Sequence, residues 1–572
     1  MTLVKLAGGR IVDPANGRNG DTADLYLHDG MIVPDPGPGA AIDQVIDVTG
    51  KVVMAGAIDI HSHIGGGKVN LARAIMTEDH RGHHPDLLDR DRFDGGDVLR
   101  RAGGGIYTPS TFATGYRYAE MGYTAAFEPA MVPANARHTH AELADTPMID
   151  KGCYAMLGSD DFLLRLLAEG AEQPRINDYV GWILEAVQAI AIKVVNPGGI
   201  NAFKFNGRDL HFDSPGPHYG VTPRRIVTAL ARAVHELGVP HPLHIHCNDL
   251  GVPGNWETTL QTIAGAEGLP LHLTHLQFHS YGTEGKRKFS SAAAQVAEVV
   301  NRTPSVSIDV GQVMFGQTVT ASGDTMMQYR NHRHAHPDKW VCMDIECEAG
   351  CGVVPFRYRD QNFVNALQWA IGLELFLLVE DPWRIFLTTD HPNGAPFSTY
   401  PHLIRLLMDR SFRRDMLKRI SRPAAAATVL GSIEREYSLY EIAILTRAGP
   451  ARALGLHDRG HLGPGAVADI TIYTEQEDKE AMFARPDYVF KDGRVIARNG
   501  EVTEIVWGAT HAVRPEFDRG SIEAPLRDYF ETYQTVRLGN FRVTDAEIED
   551  AGLSGEGRGR LVRHACRRIG AS

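Results

Sequence analysis

The chain has 572 residues, 43% hydrophobic and 22% charged, which suits a large core divided into two or three structural units. A net charge of −12 and a pI near 6.1 argue against nucleic acid as a partner. No long apolar run stands at the start, and the most apolar helical stretch, around Asn365 to Val379, is broken by Glu374; the expected setting is cytoplasmic, without a membrane partner.

Residues 1–54 read as short strands: Leu3–Leu6, Ile11–Val12, Asp24–Leu27, Met31–Val33 and Val45–Val48, punctuated by Gly, Pro, Asn and Asp at turn spacing. From 55 to 435 apolar strands alternate with amphipathic helices, the pattern of βα units around a parallel sheet. Expected strands there are Thr124–Phe127, Tyr154–Leu157, Pro242–His246, Leu271–His275, Val306–Val310 and Arg384–Asp390. Between 436 and 515 the short-strand style returns, with Ala466–Tyr473, Tyr488–Ile496 and a turn at Asn499-Gly500. The two ends thus resemble each other, and one small sheet domain built from both, with a barrel inserted between, accounts for that. Residues 516–572 are charged and irregular and read as a packing or partner-binding tail, or as disorder.

The segment Gly56-Ala-Ile-Asp-Ile-His61-Ser-His63 carries the most chemical information. Alternation along a strand end places His61 and His63 on one side, where two imidazoles reach one ion. In a (β/α)8 barrel functional side chains sit at the C-terminal ends of strands, and further candidates recur there: His246, His275 and Asp390. Six cysteines (Cys153, Cys247, Cys342, Cys347, Cys351 and Cys566) include no Cys-x-x-Cys and read as reduced, packed thiols. A second His-x-His, His138 and His140, falls in an expected loop after a strand, as pocket lining or surface. His391 is a candidate proton guide, and Asn393 and His279 are candidates for the pocket edge. The run Gly65-Gly66-Gly67-Lys68 lacks the spacing of a nucleotide loop.

The ordered set His-x-His, lysine, histidine, histidine, aspartate resembles the amidohydrolase superfamily. That resemblance implies an α/β fold, a (β/α)8 TIM-like barrel with a small β-sandwich from both chain ends, and two divalent metals bridged by a carboxylated lysine. Local pattern leaves Lys193 and Lys204 both open as that lysine. A helical stripe through Val180, Ile183, Leu184, Val187 and Ile190 could run on to Asn196-Pro197, which would favour Lys204.

Beyond the superfamily, the chain resembles the A subunits of formylmethanofuran dehydrogenase and of the related formyltransferase/hydrolase complex. The segments that carry this include Lys51–Gly56, Pro109–Tyr118, Arg137–His140, Ile192–Pro197, His244–Gly251, Gly254–Thr259, Gln277–Gly282, Gly352–Phe356 and Leu387–Asn393. The family resemblance selects Lys193. It implies two zinc ions held by His61, His63, Lys193, His246, His275 and Asp390, with Asp390 and His246 serving catalysis. The implied reaction is reversible hydrolysis of the N-formyl group of formyl-methylofuran or formyl-methanofuran to formate, beside formyltransferase and dehydrogenase-like subunits. A strong bias to arginine, 46 against 12 lysines, tilts the choice to the bacterial, methylofuran-using hydrolase. The competing readings are a formate-condensing component of a dehydrogenase, a stand-alone cyclic amidase, and a scaffold protein with a dead barrel.

Overall fold

The structure, a computed structural model, describes residues 2–76, 79, 105–204, 210–320, 353–549 and 559–567. Cys342, Cys347, Cys351 and Gly352 lie outside the described residues, whereas Cys153, Cys247 and Cys566 are free thiols.

Eight parallel strands follow one another around a barrel: Ala57–Asp59, Tyr123–Met131, Asp150–Met156, Ala191–Val195, Leu243–His246, Leu271–Leu273, Val306–Asp309 and Ile385–Phe386. Each pairs with the next in that order, and the circle closes where Ser62 bridges His391 and the His63 amide donates to the His391 carbonyl at 2.9 Å. Apolar helices wrap the outside. Asp161–Ala168 is capped by Asp160, whose carboxylate accepts from the Leu163 amide; Pro223–Glu236 is capped by Thr222 and buries Ile226, Val227, Leu230 and Val234. Phe363–Leu378 is buried nearly all round, including Glu374, so it is a core helix. Among the described residues no helix is long and apolar enough to cross a membrane.

The two chain ends meet in one nine-stranded sheet. Val52–Ala55 lies at the junction, parallel to Leu3–Asp13 on one side and antiparallel to Ile470–Tyr473 on the other. Leu3–Leu6 and Ile11–Val12, expected as two strands, form one long strand, Leu3–Asp13, with a register shift between Leu6 and Gly9. The edge strand Met31–Val33 bridges back to Val467, so the sheet curls, sandwich-like, around Leu6, Ile11, Leu27, Val53, Ile470 and Phe490.

Two segments differ from expectation. Ala509–Arg514, in the span expected to belong to the small sheet, joins the barrel sheet instead. It pairs in parallel with the start of the third strand at Lys151 and Gly152, and the Val513 amide donates to the Ala189 carbonyl. A Cβ at Gly152 would stand 2.9 Å from the His511 carbonyl, so this close approach needs glycine. The region expected to be an irregular tail supplies the helix Arg519–Tyr533 and a strand, Arg560–Ala565, parallel to Ala509–Arg514. The stripe expected to favour Lys204 stops early as well. The helix Gln173–Ala186 ends before Gln188, whose backbone is left-handed (φ 52°), and Lys193 sits on the fourth barrel strand.

Candidate metal centre

Parallel pairing sets Lys193, His244, His272 and Ser307 side by side across four neighbouring strands. Just above this layer, at the C-terminal strand ends, the chain turns sharply. Asn196, Asp249, His275 and Asp390 all adopt left-handed backbone (φ 44°, 63°, 38° and 51°), a conformation that costs non-glycine residues energy and clusters at functional sites. Gly311 makes room for two of the side chains. A Cβ there would lie 2.3 Å from the His275 Cβ and 3.4 Å from the Asp390 Cβ.

The sequence-derived residues converge in two groups. His61, His63 and Asp390 form one, with Asp390 Oδ1 2.9 Å from His61 Nε2 and 3.2 Å from His63 Nε2. His246 and His275 form the other, with His279 as a third imidazole. His61 and His275 stand edge to face with ring centroids 5.6 Å apart, so the groups adjoin. Lys193 is buried, and its positive charge opposes protonation of His244, His275 and His279; at His61 the carboxylates of Asp309 and Asp390 outweigh burial and that charge, so its pKa is raised. Burial first, with that charge added, holds His244 and His275 well below the ordinary imidazole range and His279 down to about 3. Neutral imidazoles are the form that binds metals. Burial would raise Asp390, but His275 and His61 and the hydrogen bonds from His61 and His63 hold it well below the usual carboxylate range. Clustered imidazoles, an ionised carboxylate and a buried lysine at one barrel mouth are a donor set that fits a pair of divalent metals.

A second layer orients these groups. Glu128 Oε1 lies 3.0 Å from His63 Nδ1, and its Oε2 accepts from the amides of Ile64 and Gly65. His61 Nδ1 faces Thr274 Oγ1 at 2.6 Å and His244 Nε2 at 2.9 Å. His244 Nδ1 in turn meets His241 Nε2 at 2.9 Å. Asp309 takes the His275 amide and the Thr388 hydroxyl on Oδ1 and stands 3.1 Å from His272 Nε2 through Oδ2. Asn393 Nδ2 donates to Asp390 Oδ1 at 2.9 Å.

Sequence reasoning missed Glu128, Asp309, His244 and His272. A signal for three of them was present: Glu128 follows the apolar run Thr124–Phe127, Asp309 ends an apolar strand, and His244 sits two residues before His246, the spacing already used for His61 and His63. The second His-x-His lies on the helix Ala136–Ala144, not in a loop. His140 is buried against the Val187 carbonyl (2.9 Å), while His138 is exposed beside Glu142. His391 accepts from the Phe397 amide through Nδ1 and packs on the Phe397 ring, a structural post at the barrel closure.

A model of the amidohydrolase family matches residues 44–497. The chain is 43% identical over 553 residues to the A subunit of the formyltransferase/hydrolase complex Fhc of Methylorubrum extorquens, covering 96% of this chain and 98% of that protein. It is 41% identical over 563 residues to protein FwdA of Methanocaldococcus jannaschii, covering 94% and 96%. Among solved structures, the M. extorquens formyltransferase/hydrolase complex, crystallised with methylofuran, contains a chain that superposes with a TM-score of 0.88 at 42% identity, over 99% of this chain and 100% of that one.

Proposed function

This chain belongs to the amidohydrolase family, and from that premise we propose that it is the hydrolase subunit of a formyltransferase/hydrolase assembly in one-carbon metabolism. Its reaction would be the reversible cleavage of the N-formyl group of formyl-methylofuran, or formyl-methanofuran, to formate and the free amine. The formyl carrier and the partner subunits are those named for the M. extorquens relative. The observation that carries the reading is the convergence of His61, His63 and Asp390 with His246 and His275 beside buried Lys193.

Two zinc ions are the proposed metals, which His61, His63, His246, His275, Asp390 and a carboxylated Lys193 would hold. When bound, such a pair polarises a carbonyl oxygen and lowers the pKa of water from 15.7 to about 7. The protein's own groups do the rest. Asp390 stays ionised among the imidazoles and accepts the proton of the attacking water, then returns it to the amine as the C–N bond breaks. Asn393, donating to Asp390 Oδ1, fixes the carboxylate's rotation. Glu128 and His244 hold the rings of His63 and His61 by their second nitrogens. Carboxylation of buried Lys193 would turn an ammonium, which has no lone pair to offer, into an anionic oxygen donor for two cations.

The test is formate release from a formylated furfurylamine-type substrate by the metal-loaded protein, purified with the subunits it carries from cytoplasmic extract. Formate should appear, vanish on chelation and return with zinc. Lys193→Ala should lose both metals and the activity, and Lys204→Ala should keep the metals. A fully metallated protein that releases no formate but opens a cyclic amide would replace this reading.

A further inference from the structure

We propose that His279 is itself a metal ligand, so that one half of the site is built from three imidazoles, His246, His275 and His279. This rests on the two-metal reading above and assigns a donor that the ordered set of His61, His63, Lys193, His246, His275 and Asp390 leaves out. The ligand nitrogens of the three rings lie within 4.8 Å of one another, and all three rings are buried. Three nitrogens around a tetrahedral zinc at about 2.0–2.1 Å stand roughly 3.4 Å apart, so a small closure of the rings reaches coordination. The rings already face a common point: His279 meets His246 edge-on at 5.1 Å and stacks beside His275 at 5.3 Å.

The backbone holds His279 there. It ends the short 3-10 turn Leu276–His279, which the left-handed His275 initiates. Thr259 Oγ1 donates to the His279 carbonyl and Asn255 Nδ2 to the Phe278 carbonyl, each at 2.8 Å, while Ser280 Oγ donates to the Leu276 carbonyl. A turn pinned at three carbonyls holds its side chain in place before any ligand arrives. Neither ring nitrogen of His279 makes a hydrogen bond of ordinary geometry among the described residues, although the ring is fully buried. Buried polar atoms left so are costly, and coordination satisfies one of them.

A third cluster, His61, His244 and Asp309, is equally compact, but its atoms are taken up in mutual hydrogen bonds and those of Thr274, His272 and Thr388. It supports the site from below. The two metal positions therefore differ in chemistry: two imidazoles and a carboxylate on one side, three imidazoles on the other, each sharing the lysine.

The experiment counts metal ions. Wild type, His279→Ala and His279→Gln, each purified with its natural partner subunits, are stripped by chelation and reloaded with zinc or cobalt(II). Ions per chain are measured by mass spectrometry, and the cobalt visible spectrum is recorded. Wild type should hold about two ions per chain and both variants about one or fewer, with a changed cobalt band. Metal-free forms that melt alike show that the fold is kept, and the isosteric glutamine variant guards against collapse of the alanine one. Variants that hold as many ions as wild type with an unchanged cobalt spectrum overturn the assignment and leave the two-metal reading standing. A wild type that binds fewer than two ions overturns both.

Discussion

Glu128 shows how single residues set this site. It touches no candidate substrate position, yet its carboxylate fixes His63 through Nδ1 and anchors the loop amides of Ile64 and Gly65. Burial would raise its pKa, but His63 and those amides bring it below the ordinary value, so it stands ionised behind the His63 ring. Glu128→Ala should therefore weaken metal binding by about 10–100-fold while leaving every proposed ligand in place. Competition with a chromophoric chelator reads this directly, and unchanged affinity would assign Glu128 to loop packing alone. Much of the site was legible at this scale because strand ends in a barrel carry simple rules: alternation for His61 and His63, and terminal positions for His246, His275 and Asp390. The lysine was not, since an apolar run around Val187–Val195 serves a helix or a strand equally well. Gln188, whose backbone is left-handed, ends the helix, and Lys193 then lies on a barrel strand paired with His244.

Elements were easiest to read where their period was undisturbed. The barrel strands follow from plain apolar spacing, whereas the C-terminal helix Arg519–Tyr533 was obscured. Its stripe, Ile522, Leu526 and Phe530, has correct helical spacing, but Pro525 lies within it and charged residues crowd its outer face. The helix finds its stability in tertiary contacts, with Phe530 against Trp182 and Phe541. Likewise Ala509–Arg514 looks like one more strand of the small sheet until its neighbours are known. It lodges in the barrel wall because the third and fourth strands pair only from Tyr154 onward, leaving the start of the third strand open. Phe530→Ala should cost about 3–5 kcal/mol of local stability, the usual range for emptying a buried aromatic site. Hydrogen exchange should show Arg519–Tyr533 opening more readily while the barrel strands keep their protection. Loss of protection across the barrel would mean that this helix is needed for the whole fold.

The molecule as a whole is held together by a buried ionic cluster between barrel and small sheet. Lys491 Nζ lies 3.0 Å from Asp150 Oδ1 and 2.9 Å from Asp469 Oδ2, and Arg459 Nε lies 2.7 Å from Asp150 Oδ2. Asp150 comes from the third barrel strand and Lys491 from the small sheet, so these bonds set one unit against the other. Burial pushes Asp150 up, but Lys491 and Arg459 outweigh it and hold Asp150 well below the usual carboxylate range. A carboxylate depressed in the folded state stabilises it above the unfolded value of about 3.9, and that contribution fades as pH falls through the folded value. Lys491 is raised by the same partners, so its contribution is complete below about 10.4 and is lost only above that. Asp150→Asn leaves two buried cations with one fewer anion and should cost about 3–5 kcal/mol near neutrality. Chemical denaturation of the wild type and the variant should give a gap that is constant from about pH 5 to 8 and shrinks below about pH 4, as the unfolded wild type takes up a proton at Asp150 that the folded state still lacks. A gap already closed at pH 5 would mean that Asp150 is not held ionised, and the junction would then rest on apolar packing and on the Asp469–Lys491 pair. Metal content at pH 7 should be the same in both proteins, because this cluster lies at the opposite ends of the strands from His61, His275 and Asp390.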